Sequence, residues 1–166
     1  MRLLTRRGFQ CVLGAALCLT LAAPPQAAAQ DSTLIVAGRI PAGELILTRA
    51  ELLALPQHEL TEQPMNFPDA GKFRGPLLAD VLKLANAEAG ATEATLVALD
   101  EYKVAITVAE MDKYQPILAV DLDGVPLAGH DFGPYYVMWP FKERPEIDNE
   151  TFQAKAIWQV IKIDVR

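Results

Sequence analysis

The chain is poor in the side chains on which many catalytic and metal sites depend. Of its 166 residues only two are cysteine and two are histidine, and Ser32 is the single serine. Cys11 and Cys18 both lie near the amino terminus, while His58 and His130 are 72 positions apart. These scarcities argue against a Ser-His-Asp hydrolase and against a closed zinc site, which needs four ligands in a cluster.

Long apolar runs and an excess of positive charge are also missing. No apolar run reaches roughly 18 residues, so a membrane-spanning helix is not expected. With 21 acidic against 15 basic residues the net charge is -6, which argues against binding to nucleic acid or anionic lipid. The 51% share of hydrophobic residues is that of a globular protein with its own core.

The first 29 residues have the three parts of a secretory signal. Arginines at positions 2, 6 and 7 precede an apolar run over residues 11–23, and the segment ends on Ala27-Ala28-Ala29. Thr5-Arg6-Arg7-Gly8-Phe9 also resembles a twin-arginine signal, with an ordinary secretion signal as the alternative. We therefore expect residues 1–29 to be removed and residues 30–166 to form one periplasmic domain without a membrane anchor.

Removal of this segment would alter the chemistry that the protein can perform. It takes away both cysteines and three arginines, which leaves 137 residues with 12 basic and 21 acidic side chains, a net charge of -9. The remaining chain would have no disulfide, no thiolate nucleophile and no sulfur ligand for a metal.

Short β-rich runs dominate the rest of the chain. Runs at residues 34–37 and 45–47, and at 95–99 and 102–107, surround turn residues and predict two hairpins. We expect further strands at residues 59–63, 117–121, 135–139 and 157–165, the last with a bulge. Thr48 is expected to cap a helix over residues 49–55, and apolar spacing predicts a longer helix over residues 76–89. The pattern predicts an α+β fold, a single domain with mostly antiparallel sheet.

Aromatic side chains are concentrated late in the sequence. Seven of the 12 fall between Phe132 and Trp158. In the expected strand 135–139, alternation sends Tyr135 and Trp139 to one face and Tyr136 to the other. Either one face is core and the other a binding platform, or both are packed inside.

Neighbouring carboxylates are the remaining option for acid-base chemistry. Such pairs occur at Asp121 with Asp123 and at Asp100 with Glu101. The run Asp121-Leu122-Asp123-Gly124 is more simply interpreted as a turn. The loop over residues 64–75 is too long for a simple turn, which makes it a candidate binding loop.

Six motifs, in order and in spacing, resemble the molybdopterin-binding domain of sulfite-oxidase-type oxidoreductases. They are Phe73-Arg74-Gly75-Pro76-Leu77-Leu78-Ala79-Asp80-Val81-Leu82, Asp100-Glu101-Tyr102, Pro116-Ile117-Leu118-Ala119, Asp123-Gly124 with Leu127, Gly133-Pro134, and Trp158-Gln159. The resemblance covers nearly all of residues 34–166. It implies the sulfite-oxidase-type fold.

The chain departs from the catalytic members of that superfamily at three points. Those members carry a molybdenum-ligating cysteine in the loop before the first motif, where residues 61–67 have none. An arginine for the cofactor's phosphate is replaced by Tyr135 and Tyr136, and a lysine before the tryptophan by Ile157. The resemblance is closer to short periplasmic members that lack the metal ligand, some of which look like pterin-binding regulators.

Such regulators sense a free pterin and control a membrane-bound cyclic-di-GMP enzyme through its periplasmic domain. For this chain the resemblance implies a pterin ligand, molybdopterin being less suitable, with no covalently bound or metal-bound cofactor. It implies a partner in the periplasmic domain of an inner-membrane signalling protein. It also implies no catalytic and no metal-ligating residue, and it favours a binding protein over an enzyme.

The same resemblance indicates which residues would bind a pterin. Trp139 and Tyr102 are expected to stack on the ring, and Asp100 or Glu101 to accept its guanidine-like N–H groups. Trp158, among apolar neighbours, is expected in the core.

Four further residues complete the expected site. Phe67 and Met65 belong to the loop that holds the metal ligand in the enzymes, so they are expected to close the pocket. Tyr135 or Tyr136, in the position of the phosphate anchor, is expected to add a hydroxyl contact.

Two other functions stay open. One is a periplasmic oxidoreductase dependent on a molybdenum cofactor, or a subunit of one whose partner supplies the missing ligands. The other is a protein-binding module with a filled core and no small ligand.

Overall fold

The fold is that of a computed structural model, which describes residues 32–65, 67–129 and 132–166. The expected signal segment, residues 1–29, lies outside these residues, and so does His130. Among the helices of the described ranges, none has the length and apolarity needed to cross a membrane.

A five-stranded sheet contains both ends of the described chain. Its strands are β1 (Thr33–Gly38), β2 (Glu44–Thr48), β5 (Glu93–Ala98), β6 (Lys103–Thr107) and β11 (Val160–Val165). They are arranged in the order β2-β1-β11-β5-β6. β1 and β11 run parallel, and all other neighbours are antiparallel. The carboxyl-terminal strand therefore lies at the centre of the sheet.

Both predicted hairpins are present in this sheet. β1 and β2 pair from Thr33 with Thr48 to Ala37 with Glu44, and β5 and β6 pair around the Asp100-Glu101 turn. Gly38 has a φ of +94°, and a Cβ there would lie 2.2 Å from a carbonyl oxygen of β11. Only glycine therefore fits where the first hairpin crosses the end of the last strand.

Two smaller antiparallel sheets pack beside the first. One is four-stranded, in the order β3 (His58–Glu62), β4 (Gly71–Gly75), β8 (Asp121–Leu122) and β9 (Val125–Pro126). The other pairs β7 (Ile117–Ala119) with β10 (Tyr136–Met138). The expected strand 117–121 is thus two strands in two sheets. The expected bulge of the last strand is confirmed by a register shift between Val160 and Lys162.

The helices agree in part with those predicted from the sequence. α1 (Arg49–Ala54) is capped by the Thr48 hydroxyl, as expected, in a reciprocal capping box with Glu51. α2 (Leu78–Leu84) is shorter than the predicted helix over 76–89, because Asn86 adopts a left-handed φ of +54° that ends the helical hydrogen bonding. A third helix, α3 (Val108–Tyr114), was not expected, although Thr107 and Glu110 form a second capping box. α4 (Glu150–Gln153) follows a short 3₁₀ turn.

The hydrophobic core lies between the sheets and includes the whole segment 135–139. Tyr135, Tyr136 and Trp139 are each exposed by 1% or less. Of the two alternatives for this strand, the structure therefore shows the one in which both faces are packed inside. Packing from other elements covers both faces, so that the alternation does not separate core from surface.

A buried ion cluster ties α1 to the four-stranded sheet. Asp121 in β8 is 3% exposed, and its two carboxylate oxygens accept hydrogen bonds from Arg49 of α1 and Arg74 of β4. Arg49 is 4% exposed. The turn that follows is the one expected from the sequence, with Asp123 and Gly124 at φ values of +52° and +78°.

Replacing Asp121→Asn is expected to lower the free energy of unfolding by about 3–5 kcal/mol, because a buried guanidinium then loses its counter-charge. Denaturant titration measures this change. Asp123→Asn is the matched control: this residue is exposed, and asparagine tolerates its left-handed backbone, so we expect less than about 1 kcal/mol. Equal losses for the two variants would contradict the role of the ion cluster.

Candidate functional site

A cavity of about 380 Å³ lies where four separate parts of the chain meet. These parts are residues 64 and 65 after β3, the end of β5 with the turn after it, Tyr136 of β10, and the segment from α4 to the start of β11. We call it the Trp158 cavity, with walls that include Met65, Asp100, Tyr102, Tyr136 and Trp158. Its volume is in the range of small-molecule sites, which is about 300–1,000 Å³.

The central strand of the large sheet brings Trp158 to this place. Val160 pairs with Ala98 at the end of β5, and the Leu99 amide donates to the Gln159 carbonyl at 2.9 Å. Gln159 has a left-handed φ of +55°. The residue before it, Trp158, therefore lies beside the turn that joins β5 to β6.

Aromatic rings form one wall of the cavity. Trp158 is half-buried and meets Tyr136 edge-to-face, with ring centroids 6.2 Å apart and planes at 77°. Phe132 supports the indole from another side at 6.0 Å. The Trp158 ring is thus fixed by its neighbours while it still lines open space, as a stacking surface for a flat ligand requires.

Polar groups contribute to the rim of the cavity. Asp100 accepts the Tyr102 amide at 3.0 Å, and the Tyr102 hydroxyl donates across the rim to the Ala154 carbonyl at 3.5 Å. Glu150 and Gln153, both from α4, also line the cavity. The charged side chains on this lining, Asp100 and Glu150, are both acidic.

Four of the eight predicted site residues meet at the cavity. Met65, Asp100, Tyr102 and Tyr136 come from three distant parts of the sequence and line the same space. Met65 and Tyr102 are 74% and 51% exposed, so they lie at its mouth. Burial raises the pKa of the Tyr136 hydroxyl, which keeps that group neutral at physiological pH. Whether these residues hold a ligand stays a prediction.

Trp139 does not line the cavity. Its side chain is 0% exposed, its indole N–H donates to the Lys155 carbonyl at 3.1 Å, and its ring packs on Phe152 with centroids 5.1 Å apart. The structure therefore corrects the expectation that this indole offers a free stacking face. Trp139 instead supports, from behind, the segment that forms the α4 wall.

Three other predicted residues also lie away from the lining. Tyr135 is buried, and its hydroxyl donates to the Ser32 carbonyl at 2.8 Å, while burial raises its pKa to about 12. Phe67 packs behind the Tyr136 ring rather than on the cavity. Glu101 is exposed at the tip of the turn, with a φ of +67°. Of the two carboxylates that the sequence left open, Asp100 is the one at the cavity.

Sequence reasoning missed three residues of this site. Trp158 was expected in the core, yet it forms the aromatic wall. Glu150 and Gln153 gave no motif signal because they belong to a helix of only four residues. Asn149 caps that helix by accepting the amides of Thr151 and Phe152, and this is the feature from which the helix was predictable.

A second, polar cavity of about 210 Å³ lies elsewhere on the surface, lined by His58, Glu59, Glu143 and Arg144 among others. The residues that the structure describes contain no group of three or more His, Cys, Asp or Glu side chains placed to hold a metal ion. This cavity therefore offers mixed charges without a metal-binding geometry.

The fold has a counterpart among solved structures. The chain is similar to part of the sulfane dehydrogenase SoxCD from Paracoccus pantotrophus, with a TM-score of 0.61 and 13% sequence identity. The match covers 82% of this chain and 38% of that one, so this chain spans well under half of the neighbour's length. No protein-family model and no curated protein matches the sequence.

The chain has a sulfite-oxidase-type fold. This likeness confirms the predicted class, an α+β fold of mostly antiparallel sheet. At such low identity it shows the fold alone, and function has to be argued from the residues of the cavity.

The two tryptophans are expected to differ in solvent access. Trp139 is sealed in a close-packed interior, whereas Trp158 lines the cavity. Acrylamide should therefore quench the fluorescence of Trp139→Phe, which retains Trp158, several-fold more strongly than that of Trp158→Phe. Circular dichroism checks that both variants fold. Equal quenching of two folded variants would contradict the placement of the rings.

Proposed function

We propose that this protein is a non-catalytic binding protein for a pterin-type ligand, held in the Trp158 cavity. The observation that carries the proposal is the pairing of an aromatic wall with a carboxylate rim in one small space. A pterin has a flat aromatic face and a guanidine-like edge, and these two features match the two sides of the cavity.

The aromatic side suits stacking because two of its rings are held by their neighbours. Trp158 and Tyr136 are fixed by edge-to-face packing, while Tyr102 is half-exposed at the mouth and hydrogen-bonded through its hydroxyl to Ala154. A ligand on Trp158 would lose little free energy to ordering of the wall. Tyr102 and Met65 would cover it from the solvent side.

The carboxylate side suits a guanidine-like edge. Asp100 uses Oδ1 to accept the Tyr102 amide, which orients the carboxylate, and each of its oxygens has a further acceptor site. Paired N–H donors on a carboxylate form the stronger, charge-assisted kind of hydrogen bond.

The cavity does not fit a thiolate-ligated, phosphorylated metal cofactor. Cys11 and Cys18 are the only cysteines of the sequence, and both precede the described residues. The charged side chains on the lining are acidic, so they repel a phosphate. For these reasons we propose no catalytic step, and the alternative of a molybdenum-dependent oxidoreductase has less support from the residues.

The proposed role is regulation of a membrane-bound cyclic-di-GMP enzyme through its periplasmic domain. Exposed apolar side chains at the cavity mouth support a protein contact there: Met65, Tyr102 and the adjacent Leu99 are 74%, 51% and 57% exposed. A partner that covers this rim would contact the ligand or the side chains that close over it. Occupancy of the cavity would then alter the contact surface.

Equilibrium dialysis of the purified protein against a pterin tests the binding step, because its readout does not depend on the presence of Trp158. Trp158→Ala and Tyr102→Ala are each expected to weaken binding by about 1–3 kcal/mol, or roughly 5- to 150-fold, because a stacking ring is lost. Tyr102 is exposed, so its replacement should not impair folding.

Val125→Ala is the matched control, since this apolar side chain is 65% exposed on β9 and does not line the cavity. Its affinity should equal that of the wild type. Absence of any pterin binding by the folded wild type, or near one equivalent of molybdenum in it, would rule the proposal out.

The regulatory step is tested by cyclic-di-GMP levels in cells that produce the chain. Cells with Tyr102→Ala should differ from wild-type cells in the same direction as cells that lack the protein. Cells with Val125→Ala should resemble the wild type. Levels that stay the same when the protein is removed would contradict a role in this signalling.

A further inference from the structure

We infer that the Trp158 cavity selects its ligand by charge and by hydrogen-bond polarity: it accepts an uncharged or cationic ring with N–H donors along one edge and disfavours an anionic one. This inference rests on the proposed function and specifies the ligand class of the same cavity.

The side chains of α4 supply the main argument. Asn149 caps the helix, and Glu150 and Gln153 are three positions apart, which places them on one helical face that lines the cavity. Glu150 adds a second carboxylate to that of Asp100, and among the described residues that line the cavity no lysine or arginine offsets the pair.

Gln153 extends the row of acceptors. Its side-chain amide nitrogen donates at 2.7 Å to Oδ1 of Asp148, and Asp148 does not line the cavity. The carbonyl oxygen of the same amide is therefore the hydrogen-bond acceptor that Gln153 can offer to a ligand. Asp100, Glu150 and Gln153 therefore each offer an acceptor, so a bound ring has to supply the donors.

Tyr136 adds no charge to this lining. It lies on the cavity, and burial raises the pKa of its hydroxyl, which keeps that group neutral at physiological pH.

The arrangement discriminates between related rings. A phosphate ester adds about -1.5 to -2 charges at neutral pH, next to two carboxylates. An oxo group in place of the amino group removes the amino N–H donors and puts an acceptor between the two ring N–H groups, where it faces a rim of acceptors.

Fluorescence titration with two matched ligand pairs tests the inference. The first pair is 6-hydroxymethylpterin and its phosphate ester, and the second is pterin and lumazine, in which an oxo group replaces the 2-amino group. We expect the wild type to bind the first member of each pair at least about 10-fold more tightly.

Glu150→Gln should reduce both preferences by about 3- to 10-fold. Glu150→Lys should bind the phosphate ester more tightly, relative to 6-hydroxymethylpterin, than the wild type does. Glu150 is exposed, so these variants should fold. The control is Glu146→Gln, an exposed acid of the preceding 3₁₀ turn that does not line the cavity, and it should keep both ratios.

The outcomes separate the two proposals. If all four rings bind tightly, and the affinity ratio within each pair is near one in both the wild type and Glu150→Gln, the selection by charge is overturned. The proposed binding function would then remain intact. No binding of any of the four rings to the folded wild type would overturn both. Preferences that fall in Glu150→Gln and persist in Glu146→Gln would support the inference.

Discussion

The central position of the last strand is the constraint on which the site depends. β11 lies between β1 and β5, parallel to the first and antiparallel to the second. Its pairing with β5 holds Trp158 beside the Asp100-Glu101 turn, although the two are almost 60 positions apart in the sequence. Because β11 begins two residues after Trp158 and is paired on both sides, the indole is anchored next to a rigid part of the fold, and rigidity favours a precise stacking site.

The cavity shows how a buried residue can shape a site without touching it. Trp139 packs on Phe152 and donates to the Lys155 carbonyl, so it holds the segment after α4 in place. Glu110 of α3 adds an ion pair with Lys155 from the other side, at 2.5 Å. The short α4 helix could not hold its own geometry in isolation. Its orientation, and with it the position of the acceptor rim, is set by the core behind it.

The sequence predicted local structure well where local chemistry decides it. The two hairpins, the Thr48 cap, the Asp123-Gly124 turn and the bulge in the last strand all depend on residues close together in the chain. The predictions failed where tertiary packing or a single backbone conformation decides. Asn86 ended a helix whose apolar spacing continued beyond it. α3 is a different case, because the spacing of Thr107 and Glu110 in its capping box is itself a local signal.

For the candidate site, the sequence by itself determined the types of group available: aromatic rings, carboxylates without neighbouring cations, and no thiol among the described residues. Only the tertiary structure decided which of them meet. In the folded protein Trp139 is fully buried while Trp158 lines the cavity, and Asp100 rather than Glu101 contributes a carboxylate to the lining. The physical reason is that burial depends on what packs against a side chain from distant strands, and two apolar stretches with equal local patterns can differ in that respect.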